Sequence, residues 1–181
     1  MIELINDVWK ISIPDLIISV TGGAKGFKLT SKQRVAFNRG LVNATLSTHA
    51  LIITGGTAQG CMQLVGEAVK ENITSLDPSK RISLLGVTNW TTLLNNETLT
   101  KKNAQGYIEY EPNADQKIRG ANLDQNHTHF IIVDNAVNDY GGEIEFRSQL
   151  EAKLVTSSNN NCRIVVLALG GGCLLYTSRR G

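Results

Sequence analysis

The chain is short of proline and cysteine, has no long hydrophobic run, and carries no excess of either charge. Three prolines against 17 glycines favour tight turns over disordered linkers. The 18 basic and 16 acidic residues nearly balance, which argues against an extended nucleic-acid footprint. No stretch reaches the roughly 18 apolar residues that a membrane-spanning helix needs, and the N-terminus MIELINDVWK lacks a signal-peptide pattern.

The three cysteines predict neither a metal site nor a disulfide framework. Cys61, Cys162 and Cys173 are odd in number and widely spaced, as is typical of reduced thiols in a cytosolic domain. A length of 181 residues with 41% hydrophobic residues suits one α/β domain with a real core.

Five apolar, β-branched runs alternate with helical patterns. None of the runs alternates polar and apolar residues, which is typical of strands buried on both faces of a parallel sheet. The predicted strands are 16–20, 50–54, 82–87, 130–134 and 163–169, and the predicted helices are 31–46, 61–70 and 143–155. This order predicts a Rossmann-like, doubly wound, mainly parallel α/β sheet.

Details of the helices and of one connection follow from the same patterns. Thr30 or Ser31 is the expected N-cap of the first helix, and Val35 and Ile144 are among the residues expected on buried helix faces. Residues 92–127 are polar and irregular, so they predict an excursion with short edge pieces.

Three glycine-rich loops follow predicted strands: TGGAKG at 21–26, TGGTAQG at 54–60 and LGGG at 169–172. Ligands of such sheets bind at the carboxyl ends of the strands. Glycine lets the backbone approach an oxygen-rich ligand, and bare amides at a helix start attract an anion. The loops therefore predict a phosphate site, although the sequence contains neither GxxxxGKS nor a full GxGxxG fingerprint. The predicted donors are Gly22, Gly23, Gly55, Gly56, Thr57, Gly60, Gly170, Gly171 and Gly172.

Three side chains near these loops are further ligand candidates. Lys25 pairs with a phosphate or is a solvated loop lysine, and Tyr140 stacks on a purine or covers a strand end. Arg147 lies near the start of a predicted helix, where a cation opposes the helix dipole, which hints at a ligand anion. The alternative for Arg147 is an ion pair with Glu143 or Glu151.

Two histidines and one glutamate are candidates for metal binding or catalysis. His127 and His129 lack a third metal ligand, so hydrogen-bonded structural roles are favoured and no metal site is predicted. Glu67 is placed to act as a general base, but no nucleophile or second carboxylate has a readable position. The sequence therefore predicts no catalytic residue and no enzyme.

Five segments carry a family resemblance. PDLIISVTGGAK, FNRGLVNAT, ALIITGGTAQGCMQLVGEAV, LDQNHTHFIIVDN and YGGEIEFRSQLE resemble, in order over about residues 12–172, the N-terminal homology region of melastatin-type (TRPM) transient receptor potential channels. That region is a Rossmann-like SLOG (LSDAT) domain. YGGEIEFRSQLE is most similar to the ADP-ribose-gated member.

The resemblance implies a function as well as a fold. It implies a soluble domain on the cytoplasmic face of a non-selective, calcium-permeable cation channel, which assembles as a homotetramer and makes contacts between domains and subunits. The implied ligand is ADP-ribose or a related nucleotide diphosphate, with no cofactor, no nucleic acid and no membrane insertion by this chain. By position, the resemblance assigns the ligand contacts to Gly55, Gly56, Thr57, Tyr140, Arg147 and residues 170–172.

The C-terminus departs from the family pattern. After LGGG the family continues with a helix, a strand and another ligand arginine, whereas this sequence reads CLLYTSRRG. We therefore expect a single domain over 1–172, truncated at its C-terminal side, and an aberrant tail over 173–181.

Two other functions remain open. One is a structural assembly module of a TRPM channel that binds no nucleotide. The other is a free-standing SLOG nucleotide phosphoribohydrolase, whose catalytic glutamate after a PGGxGT turn is missing because Gly172 runs into Cys173 and Leu174.

Overall fold

A five-stranded sheet lies at the centre of the molecule. A computed structural model of the chain describes residues 3–23, 29–73, 81–115, 118–135, 141–157 and 162–170. The sheet has the order β4-β3-β2-β1-β5, and all four pairings are parallel. Its strands are β1 (Leu16–Gly22), β2 (Leu51–Thr54), β3 (Ser83–Asn89), β4 (His129–Val133) and β5 (Arg163–Leu169). The parallel α/β class and the position of every strand are as predicted.

Three α-helices cover the two faces of the sheet. They are α1 (Ser31–Ser47), α2 (Gly60–Ile73) and α3 (Ile144–Ser157). Of the two predicted N-caps, Thr30 and Ser31, the structure shows Thr30: its hydroxyl accepts from the Gln33 amide while the Gln33 side chain accepts from the Thr30 amide. Helices α1 and α2 pack on one face, and α3 packs on the other together with a π-helical turn at Leu4–Val8. The sheet is therefore doubly wound.

The core is divided by the alternation of side chains along the strands. Ile18, Ile52 and Leu84 point towards α1 and α2, where they pack with Val42, Val65 and other residues. Their neighbours Ile17, Ile53 and Leu85 point the opposite way and pack with Leu150 and Leu154 of α3. Successive strand residues face opposite sides, so apolar runs without alternation fill both layers.

The expectation of burial on both faces is wrong for β5. Among the described strands it pairs with β1 alone, and its residues Ile164, Val165 and Val166 are exposed, Val166 by 61%. An edge strand has a neighbour on one side only, and the helices lie over the central strands. Val35 and Ile144 are likewise exposed rather than core-facing.

The excursion between β3 and β4, residues 92–127, contains no strand in its described part. It has a 3₁₀ turn at Asn96–Thr100 and short bridges such as Leu93 with Ala121. This agrees with the predicted irregular segment. Within the ranges that the structure describes, every helix is too short or too polar to cross a bilayer.

Candidate functional site

The three glycine loops meet at Gly23. The Gly23 amide donates to the carbonyl of Leu169, the last residue of β5, over 3.1 Å. The Gly23 carbonyl accepts from the amide of Cys61, in the first turn of α2, also over 3.1 Å. One residue therefore joins the ends of β1 and β5 to the start of α2. The predicted gathering of the loops at the carboxyl edge of the sheet is present in the described residues.

Gly22 is required at this junction. Its φ is +156°, and a Cβ at this position would overlap the carbonyl oxygen of Leu169. A side chain would push β1 and β5 apart just before the two strands end. Gly22 thus serves close approach between backbones, whatever the ligand.

The loop between β2 and α2, residues 55–59, already uses several of its own amides. Gly56 donates to the Thr54 hydroxyl, Ala58 to the Asn122 carbonyl, and Gln59 to the Thr57 carbonyl, each over 2.8 Å. These bonds hold the loop without a ligand. The Gly56 amide, one of the predicted donors, is therefore committed inside the protein.

Other amides of this loop have no such partner. Within the part of the chain that the structure describes, the amides of Gly55, Thr57 and Gly60 donate no hydrogen bond. All three residues are partly exposed, and Gly60 begins α2. A helix start carries a partial positive charge, so these amides are the donors best placed for an anion.

Arg147 lies against the ends of β1 and β2. Its Nη2 donates to the carbonyls of Val20 at 3.0 Å and Ile53 at 2.9 Å, and its Nε donates to Glu151 at 2.8 Å. Nη2 also donates to the Ser19 hydroxyl at 2.8 Å. The structure thus shows the ion pair with Glu151, one of the alternatives left open by the sequence. Contact between Arg147 and a ligand anion stays a prediction.

The charge of Arg147 reaches the start of α2. Burial raises the pKa of the Cys61 thiol, and the positive charge of Arg147 acts in the opposite direction. A thiol with a raised pKa is protonated at neutral pH and is a poor nucleophile. The Cys61 thiol at the start of α2 is therefore not an activated nucleophile.

His127 is part of a buried hydrogen-bonded chain. Its Nε2 lies 2.7 Å from the Thr54 hydroxyl, and its Nδ1 lies 2.7 Å from Oδ2 of Asp124. The His127 side chain is fully buried, in agreement with the structural role favoured from the sequence. Thr54 and Asp124 were missed as partners. The spacing of LDQNHTHF shows Asp124 and His127 three residues apart, but only the fold places Thr54 beside them.

His129 and Glu67 contribute no chemistry to this edge. His129 packs on Trp9 with ring centroids 4.9 Å apart, and burial lowers the pKa of its imidazole. Glu67 pairs with Arg34 and accepts from Gln63 on the outer side of α1 and α2. In the described segments, no cluster of three potential metal ligands occurs.

The remaining predicted site residues lie outside the described residues. These are Lys25, Tyr140, Gly171 and Gly172, together with the expected tail 173–181. Gly170 is described and has a φ of +69° directly after β5. The predicted roles of all these residues stay predictions.

The fold and its glycine-rich edge define a Rossmann-like, doubly wound α/β domain. The family model described as SLOG in TRPM matches residues 1–177, and the chain belongs to this family.

Similar proteins include several members of subfamily M of the transient receptor potential cation channels. The chain is 38% identical over 182 aligned residues to transient receptor potential cation channel subfamily M member-like 2 of Nematostella vectensis, covering 95% of the chain and 12% of the relative. It is 38% identical over 151 residues to subfamily M member 2 of Mus musculus, covering 82% of the chain and 10% of the relative. Subfamily M member 1 of the mouse is 32% identical over 178 residues, with 95% and 11% covered. The chain thus spans about a tenth of the length of these relatives.

Proposed function

We propose that the chain is a nucleotide-sensing domain of a TRPM-type cation channel, and that it binds the diphosphate of ADP-ribose or a related nucleotide. The observation that carries the proposal is the meeting of the glycine loops at Gly23. The amides of Gly55, Thr57 and Gly60 receive the diphosphate at the start of α2. The likeness of the chain to subfamily M member 2 adds support.

The physical basis is the sum of several weak attractions. A negative charge at a helix start gains about 0.3–1 kcal/mol when exposed and up to about 2 kcal/mol when partly buried. Amides fixed by the surrounding hydrogen bonds lose little further freedom when a ligand binds, which favours affinity. A diphosphate that spans three such amides adds these gains together.

Arg147 contributes its charge to this proposal. Its guanidinium is ion-paired with Glu151 and donates to the carbonyls of Val20 and Ile53, near the ends of the two strands that lead into the loops. A direct bond to phosphate requires the guanidinium to exchange one of these partners. Tyr140 and Lys25 are proposed to contact the nucleotide from the neighbouring loops.

The channel context is part of the proposal. The relatives are named as cation channels, and the domain is proposed to act on the cytoplasmic side of a homotetrameric channel, in contact with other domains and subunits. Ligand binding transmits a signal only if the two conformations of the assembly differ in affinity for the nucleotide. The domain is proposed to act as a sensor rather than as an enzyme.

Isothermal titration calorimetry of the 181-residue chain with ADP-ribose tests the proposal. Gln59 precedes α2 and donates to the Gly120 carbonyl at 3.1 Å. Gln59→Glu places a carboxylate beside the amides, so ADP-ribose affinity should fall about tenfold or more. Gln59→Met also removes the hydrogen bond but adds no charge, and it should bind within about twofold of wild type.

Adenosine serves as the ligand control because it has no phosphate. No saturable heat from wild type with millimolar ADP-ribose would rule out nucleotide sensing by this chain. Equal ADP-ribose affinities of the Gln59→Glu and Gln59→Met variants would mean that the phosphate does not bind at the start of α2.

A structural assembly module is the second candidate function. It is favoured by the internal bonds that hold the Gly55–Gly60 loop and Arg147 without any ligand. Such a module needs a rigid edge and no anion. Absence of binding in the same titration, with a cooperative unfolding transition, supports this candidate.

A further inference from the structure

The segment LDQNHTHF, residues 123–130, places a buried polar chain beneath the second glycine loop. Asp124 bonds His127, His127 bonds Thr54, and the Thr54 hydroxyl accepts from the Gly56 amide. Each of these steps spans 2.7 or 2.8 Å. A carboxylate that is distant along the chain is thereby connected to a backbone amide of the loop.

For a neutral His127 ring beside an ionised Asp124, the donors in this chain have one consistent direction. A carboxylate only accepts hydrogen bonds, so Nδ1 of His127 carries a proton and donates it to Asp124. Nε2 of the neutral ring then accepts from the Thr54 hydroxyl, which leaves the Thr54 oxygen free to accept from Gly56. Asp124 therefore selects the imidazole tautomer that orients Thr54.

Asp124 also holds the loop through its backbone. Its amide donates to the Gly56 carbonyl over 2.9 Å, and the adjacent Asn122 carbonyl accepts from Ala58. The Gly56 amide is thus bonded to Thr54 and the Gly56 carbonyl to Asp124, two members of the same hydrogen-bonded network. The loop is thus held at Gly56, which lies between Gly55 and Thr57.

The Asp124 carboxylate is also packed against α2. A Cβ on Gly66 would overlap Oδ2 of Asp124, so a glycine is needed at this point of the helix. Asp124 and Thr54 are 3% and 0% exposed. Burying charged and polar groups costs free energy unless every partner is in place, so loss of one link affects the others.

We propose that Asp124 and His127 are positioning residues that act through the Thr54 hydroxyl to hold the Gly55–Gly60 loop in the conformation that receives the ligand's diphosphate. This inference rests on the proposed function. The side chains of His127 and Asp124 are 0% and 4% exposed, so the proposed role runs through Thr54 rather than through direct contact with a ligand.

Two matched threonine variants of the 181-residue chain separate positioning from packing. Thr54→Val keeps the shape of the side chain and removes the hydroxyl, whereas Thr54→Ser keeps the hydroxyl. We expect Thr54→Val to speed hydrogen exchange of the Gly56 amide at least tenfold and to weaken ADP-ribose binding at least tenfold. Thr54→Ser should stay within twofold of wild type in both measurements.

The tautomer supplies a spectroscopic signature that packing alone would not move. Imidazole ¹⁵N shifts of His127 should show a protonated Nδ1 in wild type. Asp124→Asn can donate to Nδ1, so the ring should switch to the tautomer protonated at Nε2. The His127 tautomer in the Asp124→Asn variant also tests the proposal if Thr54→Val fails to fold.

The outcomes separate the two proposals. Gly56 exchange within twofold of wild type in Thr54→Val, or a His127 ring protonated at Nε2 in wild type, overturns the positioning role. If wild type binds no ADP-ribose, the proposed function fails and the ligand half of the inference fails with it. The Gly56 exchange rates and the His127 tautomer then decide by themselves whether Asp124 and His127 position the loop.

Discussion

Arg147 and Glu151 form an ion pair across one turn of α3, with 2.8 Å between Nε and Oε1. Their side chains are only 13% and 12% exposed. Glu151 also accepts from the Ser19 hydroxyl of β1, and Arg147 reaches the Ile53 carbonyl of β2. The pair thus fastens α3 to the two strands that lead into the glycine loops.

Removing one partner of this pair should be costly. Arg147→Ala leaves the Glu151 carboxylate buried without its cation, and we expect the free energy of unfolding to fall by about 3–5 kcal/mol. Urea denaturation followed by circular dichroism measures this. The double variant Arg147→Met with Glu151→Leu should recover more than half of the loss, because no buried charge remains. A loss below about 1 kcal/mol in the single variant would contradict the structural role of the pair.

Two glycines should respond oppositely to alanine. Gly22→Ala forces a methyl group against the Leu169 carbonyl at a positive φ, and we expect a loss of about 1–3 kcal/mol in unfolding free energy. Gly40 lies within α1 with open space around its Cα, so Gly40→Ala should stabilise the domain by about 0.5–1 kcal/mol. Chemical denaturation of both variants measures the difference. Equal effects would mean that β1 and β5 do not approach as closely as described.

Tyr110 should stabilise the excursion through its hydroxyl. The hydroxyl lies 2.7 Å from the Leu94 carbonyl and 3.1 Å from Asn122 Oδ1, and it accepts from the Leu123 amide over 3.4 Å. Tyr110→Phe should cost about 1–2 kcal/mol in unfolding free energy and speed exchange of the Leu123 amide. The exposed Tyr107 is the control, because Tyr107→Phe should change neither quantity. Unchanged Leu123 exchange in Tyr110→Phe would refute this role.

Stability should depend on pH through His129. Burial lowers the pKa of its imidazole in the folded state, so the unfolded chain binds the proton more readily. This contribution to stability is therefore present above the unfolded pKa of about 6.5 and is lost as the pH falls below that value. Urea denaturation at a series of pH values measures the slope. His129→Gln should reduce the slope. An unchanged slope in His129→Gln would refute the prediction.

The sheet was predictable because its signals are local. Runs such as LIISV and RIVVLAL contain β-branched residues without alternation, and glycine loops follow them. The cap at Thr30 was predictable for the same reason, since Gln33 lies three residues away. Exposure was harder to predict: β5 (RIVVLAL) is at least as apolar as β1 (LIISVTG), and its edge position depends on which strands pair.

The candidate site was predicted only in part. The sequence identified the loops and the position of Arg147, and it left the Glu151 ion pair open. It did not show that the Gly56 amide is already bonded to Thr54, or that Asp124 and His127 lie beneath that loop. Thr54 and His127 are 73 residues apart, so their contact has no periodic signal.

The sequence alone determined the parallel α/β architecture, the three glycine loops and the irregular excursion, because backbone preference and hydrophobic pattern act over a few residues. Only the tertiary structure decided which amides remain available, which strands lie at the edges, and that Gly23 joins the loops. These features depend on contacts between segments that are distant in sequence, and such contacts form only when the chain closes into one sheet.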